Sequence, residues 1–442
     1  MYRSIEKQLL KWKKSPRRKP LILLGARQIG KTYSLLDFGK KNYKYVAYIN
    51  CDDNEQVKNL FLQDYNIDRV MLAISAITNV PIVAEDTLII FDEIQELKRG
   101  IASLKYFYER APEYHICVAG SLLGITLRQG ESFPVGKVNT IQMYPMTFTE
   151  FLIARGKNLM AELLENKDWQ TLSTLHDVLI QMLREYYMVG GMPEAVNVFI
   201  ETNDANSVRE VQREILLAYK NDISKHTTKE QSHRIAMVWN SMPSQLSKEN
   251  KKFLYGVVKK GGRAKEFELA IQWLIDAGLI IKVGRVTTPS MPLKVYEDLS
   301  AFKLYLLDVG LLGAMAEINP VQLLLPNNMK ESKGMFTENF VCTQLATQFN
   351  SSLFYYSKEN STLEIDFFVQ KETQIIPIEV KANDGATPSM NKLIKEDKYP
   401  DVKYGIKLGY KNIGFNGNFY TFPYFLTFLL KRFLPTATKS LL

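Results

Sequence analysis

The sequence predicts an α/β fold with a parallel sheet in its first third, then a helical stretch, then a region mixing helices and strands. Three observations predict it. Runs that are apolar at every position, at 88–91 and 116–119, read as strands buried on both faces. They alternate with helical patterns over residues 20–150, the order that builds a parallel sheet. Strand runs then vanish from 151 to 239 and return after 279.

Along the chain, residues 1–20 read as an amphipathic helix and a basic segment, Lys13-Lys14-Ser15-Pro16-Arg17-Arg18-Lys19. Residues 21–24 are a strand, followed by a glycine loop and a helix, and 45–49 are another strand. From 151 to 239 helical spacing dominates, broken at Gly190-Gly191-Met192-Pro193. A helix over 248–258 precedes Gly261-Gly262, and a helix over 267–277 ends at Gly278, a C′ position. Two extended runs, 279–286 and 293–297, follow, giving the helix–helix–hairpin layout of a winged helix. Residues 311–333 read as a linker. The last region orders as a helix (335–349), strands (353–356, 364–369, 375–380), a helix near Met390 and a strand (404–408). Domains are accordingly expected at 1–155, 156–245, 246–330 and 331–442.

Composition narrows the class of protein. Hydrophobic content of 46% with 23% charged residues is that of a soluble globular chain. A net charge of +9 permits a nucleic-acid or acidic partner without requiring one. Cys51, Cys117 and Cys342 lie far apart, which excludes a disulfide framework and zinc spacing and predicts a cytoplasmic setting. No apolar run opens the chain as a signal peptide would. The apolar stretch 422–430 is too short to span a bilayer, so a packed terminal helix and no membrane partner are expected.

The loop Gly25-Ala26-Arg27-Gln28-Ile29-Gly30-Lys31-Thr32 follows a strand and opens a helix. Its two glycines let backbone N–H groups wrap phosphates, Lys31 supplies a charge to the β/γ-phosphates, and the Thr32 hydroxyl suits Mg²⁺. An acidic partner is expected at the end of a buried strand, and Leu88-Ile89-Ile90-Phe91-Asp92-Glu93 provides it. There Asp92 would hold Mg²⁺ and Glu93 would act as general base. Ser121, ending the strand Cys117-Val118-Ala119-Gly120, would orient the attacking water. These residues predict a P-loop NTPase that binds ATP with Mg²⁺ and hydrolyses it.

Four segments carry a resemblance: the glycine loop, Phe91-Asp92-Glu93-Ile94-Gln95, Tyr144-Pro145-Met146-Thr147-Phe148-Thr149-Glu150-Phe151 and Val189-Gly190-Gly191-Met192-Pro193-Glu194. A fifth, Phe302-Lys303-Leu304-Tyr305-Leu306-Leu307-Asp308-Val309-Gly310-Leu311-Leu312, precedes the last domain. Together they resemble a family of uncharacterised prokaryotic AAA-type ATPases whose C-terminal domain is similar to the PD-(D/E)xK restriction-endonuclease fold. The family usually has arginine where this chain has Lys137, and lysine cannot make a bidentate contact. Arg110 and Arg128 are the other basic candidates. The resemblance implies that a ring or other oligomer is open to the chain.

In the last region Glu338 lies on the helix, Asp366 on a strand, and Glu379 and Lys381 share one face of the next. The nuclease-like reading gives Glu338, Asp366 and Glu379 to a second divalent metal, Mg²⁺ or Mn²⁺, and Lys381 to a water nucleophile. Lys259, Lys260, Arg263 and Lys265 are candidate phosphate contacts of the winged helix. Two functions follow as expectations. One is an ATPase coupled to a nuclease-like, DNA-binding C-terminal domain. The other is an ATP-operated switch for a protein partner, with that domain catalytically idle.

Overall fold

The structure is a computed structural model. It describes residues 1–52, 55–58, 60–62, 64–120, 133–225, 227–325, 333–349, 352–358, 361–371, 373–381, 385–396 and 398–430. The chain divides into two compact units. One is Met1–Tyr144 with Asp276–Gly278, and the other is Pro145–Ile275 with Leu279–Leu442.

The first unit holds a five-stranded parallel sheet of β1 (Leu21–Leu24), β2 (Tyr45–Asn50), β3 (Thr87–Asp92), β4 (His115–Gly120) and β5 (Asn139–Gln142). The order is β2-β3-β4-β1-β5. Four of these strands are apolar enough to be legible in the sequence. The polar edge strand β5, Asn-Thr-Ile-Gln, is not. Helices α1 (Ile5–Lys13), α2 (Lys31–Asn42), α3 (Glu55–Lys58), α4 (Ile67–Thr78) and α5 (Gly100–Arg110) surround it. One core joins Ile89 and Phe91 of β3 and Val118 of β4 to Val70 and Ile74 of α4 and Leu104 and Phe107 of α5. Each such side chain contributes about 1.5–3 kcal/mol on burial, and β3 and β4 are thereby held in place at the ends that carry the site.

The second unit opens on helices. Phe148–Ala154 begins with a capping box in which Thr147 and Glu150 satisfy each other's backbone N–H groups. Long helices His176–Val189, Ala205–Lys225 and Lys229–Leu246 follow. A mixed eight-stranded sheet completes the unit: β6 (Ile280–Val286), β7 (Glu297–Leu306), β8 (Leu353–Ser357), β9 (Glu364–Lys371), β10 (Gln374–Val380), β11 (Gly405–Gly409), β12 (Gly414–Asn416) and β13 (Phe419–Pro423). Its order is β12-β13-β11-β10-β9-β8-β6-β7. The β6–β7 hairpin and the C-terminal strands therefore share one sheet, through the parallel pairing of β6 with β8.

Several local expectations are corrected. Only Tyr255–Val258 of the helix expected at 248–258 is helical. The residues before it run along β7, with Lys252 bridged to Lys303 and the Phe253 N–H donating to the Phe302 carbonyl at 2.8 Å. Lys251 and Phe253 are buried while Lys252 and Leu254 are more open, a period of two that the lysine-rich composition conceals. The second extended run starts at Glu297 rather than 293, after a 3₁₀ turn over Leu293–Tyr296. The expected linker contains helices Val309–Met315 and Pro320–Leu324. The expected terminal helix is the end of β13 followed by a 3₁₀ turn, Tyr424–Leu429.

Three of the quoted segments meet inside the second unit. Gly190 has φ +76° and its neighbour Gly191 packs so tightly that a Cβ there would overlap the Met146 backbone. The Gly191 N–H donates to Asp308 Oδ2 at 2.6 Å, while Asp308 Oδ1 accepts from the Leu311 N–H at 2.9 Å and caps the helix Val309–Met315. Asp308 is 2% exposed, and burial pushes its carboxyl up to about 6 against the pull of these N–H groups.

Candidate functional site

In the first unit, β1 delivers the glycine loop to the N-terminus of α2. Gly25 (φ +152°) and Gly30 (φ +88°) adopt backbone angles that favour glycine, and a Cβ at Gly25 would overlap Ile29 and the Met143 carbonyl. The loop is braced from the N-terminus, where the Arg3 guanidinium donates to the carbonyls of Ile29 and Tyr144, both at 2.6 Å. Lys31 is 8% exposed, and its ammonium donates to the carbonyls of Gly25 (3.0 Å) and Ala26 (2.8 Å). Burial pulls its pKa down to about 8, with Glu93 and Asp92 opposing the shift.

Strand β4 lies between β1 and β3, so the acidic pair at the end of β3 stands one strand away from the loop. The gap is closed by side chains. Thr32 Oγ1 donates to Asp92 Oδ2 at 2.7 Å, and the Tyr48 hydroxyl donates to the same oxygen at 3.1 Å. Burial and the Asp92 carboxylate push the Tyr48 phenol up to about 12, so it stays a donor. Glu93 has φ +53°, a left-handed conformation that costs a non-glycine residue about 1–3 kcal/mol. Its N–H donates to the Ala119 carbonyl at 3.1 Å, and its carboxylate accepts from the Gln95 side-chain amide. The hydroxyl of Thr32 and the carboxylate of Asp92 are hard oxygen donors already in contact, which fits Mg²⁺.

The structure thus brings Lys31, Thr32, Asp92 and Glu93 together, and adds Tyr48, Gln95 and Arg3. Sequence reasoning missed these three. Tyr48 is one turnless residue on a neighbouring strand, and Arg3 is 22 residues before Gly25; neither has a spacing signal. Ser121 and Arg128 lie outside the described residues. Lys137 pairs with Glu109 at 2.9 Å on the surface, and Arg110 stacks on Tyr106.

In the second unit the acidic cluster also assembles. Glu338 lies on the helix Lys333–Ala346, Asp366 on β9 and Glu379 at the end of β10, with Lys381 just beyond it. Glu338 Oε1 pairs with Lys251 Nζ at 2.6 Å, and Oε2 accepts from the Tyr305 hydroxyl at 3.1 Å. Asp366 Oδ2 accepts from the Val380 N–H at 2.8 Å. Lys381 Nζ pairs with Glu379 Oε1 at 2.5 Å, and Lys303 Nζ with Glu364 Oε1 at 2.8 Å. Burial, reinforced by Glu338, pushes Asp366 up to about 7. Burial by itself would lower Lys303, yet Glu338, Glu364 and Asp366 together hold it above its ordinary range. Among the described residues no group of three or more acidic, His or Cys side chains is spaced to hold a metal ion. Lys259, Lys260, Arg263 and Lys265 are exposed, with Lys259 paired to Glu266 at 2.9 Å.

The parallel sheet, its strand order and the glycine loop define the first unit as an AAA-type P-loop ATPase fold. Residues 17–152 match the family model described as an AAA domain. Residues 180–322 and 333–426 match two models each described as a domain of unknown function, DUF8612 and DUF4143. No curated protein matches the chain. Among solved structures, the chain is similar to the Walker-type ATPase PABY2304 of Pyrococcus abyssi, at 13% identity and a TM-score of 0.44, covering 71% of this chain and 95% of that one. It is also similar to the Aeropyrum pernix ORC1 protein in complex with DNA, at 12% identity and a TM-score of 0.28, covering 74% of this chain and 95% of that one. A third is Cdc6p from Pyrobaculum aerophilum, at 11% identity and a TM-score of 0.25, covering 73% of this chain and 94% of that one.

Proposed function

We propose that the first unit binds ATP with Mg²⁺ and hydrolyses it, and that turnover operates a nuclease-like domain at the C-terminus. The observation that carries the proposal is the Thr32–Asp92 contact at 2.7 Å, with Glu93 the next residue. Backbone N–H groups of the loop and the Lys31 ammonium would hold the β/γ-phosphates, Lys31 leaving its two carbonyl partners to do so. Thr32 and Asp92 would hold Mg²⁺, which when bound neutralises phosphate charge. Glu93 would take the proton of the attacking water once its carboxylate leaves the Gln95 amide. Lys31→Ala is expected to lower Mg²⁺-dependent phosphate release by roughly 10²-fold or more. Unchanged release would sink the proposal.

The C-terminal order of a helix, three antiparallel strands, a helix and a parallel strand supports the nuclease-like reading, with Asp366 on β9 and Glu379 on β10, while Lys381, expected on that strand, lies one residue beyond its end. A second reading has this domain recognise DNA or a protein without cutting. The engagement of both Glu338 oxygens by Lys251 and Tyr305 favours it. Exposed Lys260, Arg263 and Lys265 favour DNA as the partner recognised. Stimulation of phosphate release by DNA, weakening steeply with salt, is the expected sign.

A further inference from the structure

One departure of the C-terminal cluster from a divalent-metal site is that a lysine from outside the nuclease-like layout sits on its helix carboxylate. Lys251 belongs to the extended segment before Tyr255–Val258, which runs beside edge strand β7. That segment is tied at its far end by Gln245, whose side chain donates to the Leu254 carbonyl (2.9 Å) and accepts from its N–H (3.1 Å). The tether fixes where Lys251 enters. Its ammonium meets Glu338 Oε1 at 2.6 Å, and the two residues are only 7% and 8% exposed. Tyr305 takes the second oxygen, so Glu338 has both its oxygens engaged.

Charge supplies the second observation. The carboxylates are Glu338, Glu364, Asp366 and Glu379, and the ammoniums paired to them are Lys251, Lys303 and Lys381. Lys407 also acts on Glu379 as a nearby cation, so four carboxylates face four ammoniums, and removing Lys251 takes away the cation paired to Glu338. A lysine that is 1% exposed, Lys303, already fills the interior, so the remaining cation position is the one beside Glu338. A buried carboxylate stripped of its cation is strongly unfavourable, and Lys251 is the cation on Glu338.

We infer that Lys251 is the resident cation of this cluster, and that it keeps divalent metal out of the nuclease-like site. The inference rests on the nuclease-like reading of the domain and names what controls it. The segment carrying Lys251 is held by its bridge to β7, by buried Phe253 stacked on Phe302 and by Gln245, and displacing it would uncover the Glu338 carboxylate.

The test is Mn²⁺ binding to the full chain without nucleotide, by electron paramagnetic resonance and calorimetry, for wild type, Lys251→Ala, Lys251→Met and Lys251→Ala/Asp366→Asn. Lys251→Ala and Lys251→Met are expected to bind one Mn²⁺ about tenfold or more tightly than wild type, and the added Asp366→Asn to abolish that site. Mn²⁺ should also raise the melting temperature of Lys251→Ala. A Lys251→Ala chain that folds only with Mn²⁺ supports the inference equally. Wild type binding Mn²⁺ through Asp366 as tightly as the variants overturns it, as does the absence of a new Asp366-dependent site in either variant, or failure of both to fold with Mn²⁺. A parallel nuclease assay separates the two claims. Cleavage by wild type in Mn²⁺ counts against the idle reading, whereas variants that gain no site while wild type stays idle count against Lys251 alone.

Discussion

Lys31 shows how far a single residue can be read. Its spacing from the glycines is local and legible in the sequence, but its protonation is set by burial, which no spacing encodes. With a pKa pulled down to about 8, the side chain is only partly protonated at pH 8 before nucleotide arrives. Phosphates at the proposed contact would restore the charged form, so binding is expected to take up roughly half a proton at that pH. Calorimetry of ATP binding at pH 8 in buffers of differing ionisation enthalpy measures this. No uptake would contradict the assigned contact. The same limit applies to Tyr48, Gln95, Lys251 and Lys303. Each acts through a neighbour far off in sequence or through a contact that period and motif do not specify, although a lysine inside the apolar run of β7 was a visible anomaly.

At the scale of elements, apolar strands and glycine turns were legible and polar or short elements were not. Strands β1 to β4 have apolar interiors, with polar residues only at their ends, whereas β5 and the Lys251 segment are defined by partners alone. The Gly190-Gly191 break was readable as a turn, but its cause was not: Gly191 is packed on the Met146 backbone and bonded to Asp308. Gly191→Ala is expected to destabilise by roughly 2–4 kcal/mol, measured by urea unfolding. Asp308 adds a pH dependence. Its folded pKa, about 6, lies above the ordinary value of 3.8, so the native state binds the proton more tightly. The stability this contributes is fully present below pH 4 and is lost as pH rises through about 6, on the order of 3 kcal/mol in all. Asp308→Asn should remove that slope. It should also lower stability at pH 7.5 by about 1–3 kcal/mol, because its NH₂ would face one of the two N–H donors. An unchanged slope between pH 4 and 7 would show that another group carries it.

For the whole molecule, the parallel sheet with its P-loop was legible because that chemistry needs residues close in sequence. The sharing of one sheet between the β6–β7 hairpin and the C-terminal strands was not, because the pairing of β6 with β8 spans some 70 residues and leaves no periodic trace. Among the described residues no helix is long and apolar enough to cross a membrane. A net charge of +9 is compatible with a nucleic-acid partner, and DNA-stimulated hydrolysis of ATP by the full chain would give that charge a role.

The proposed hydrolysis gives the acidic pair beside the glycine loop a catalytic part beyond binding. Steady-state phosphate release by Glu93→Gln, with ATP affinity measured on the same sample, tests it most directly. Release is expected to fall by roughly 10²–10⁴-fold with Mg²⁺–ATP still bound. Release at the wild-type rate with affinity unchanged would contradict it.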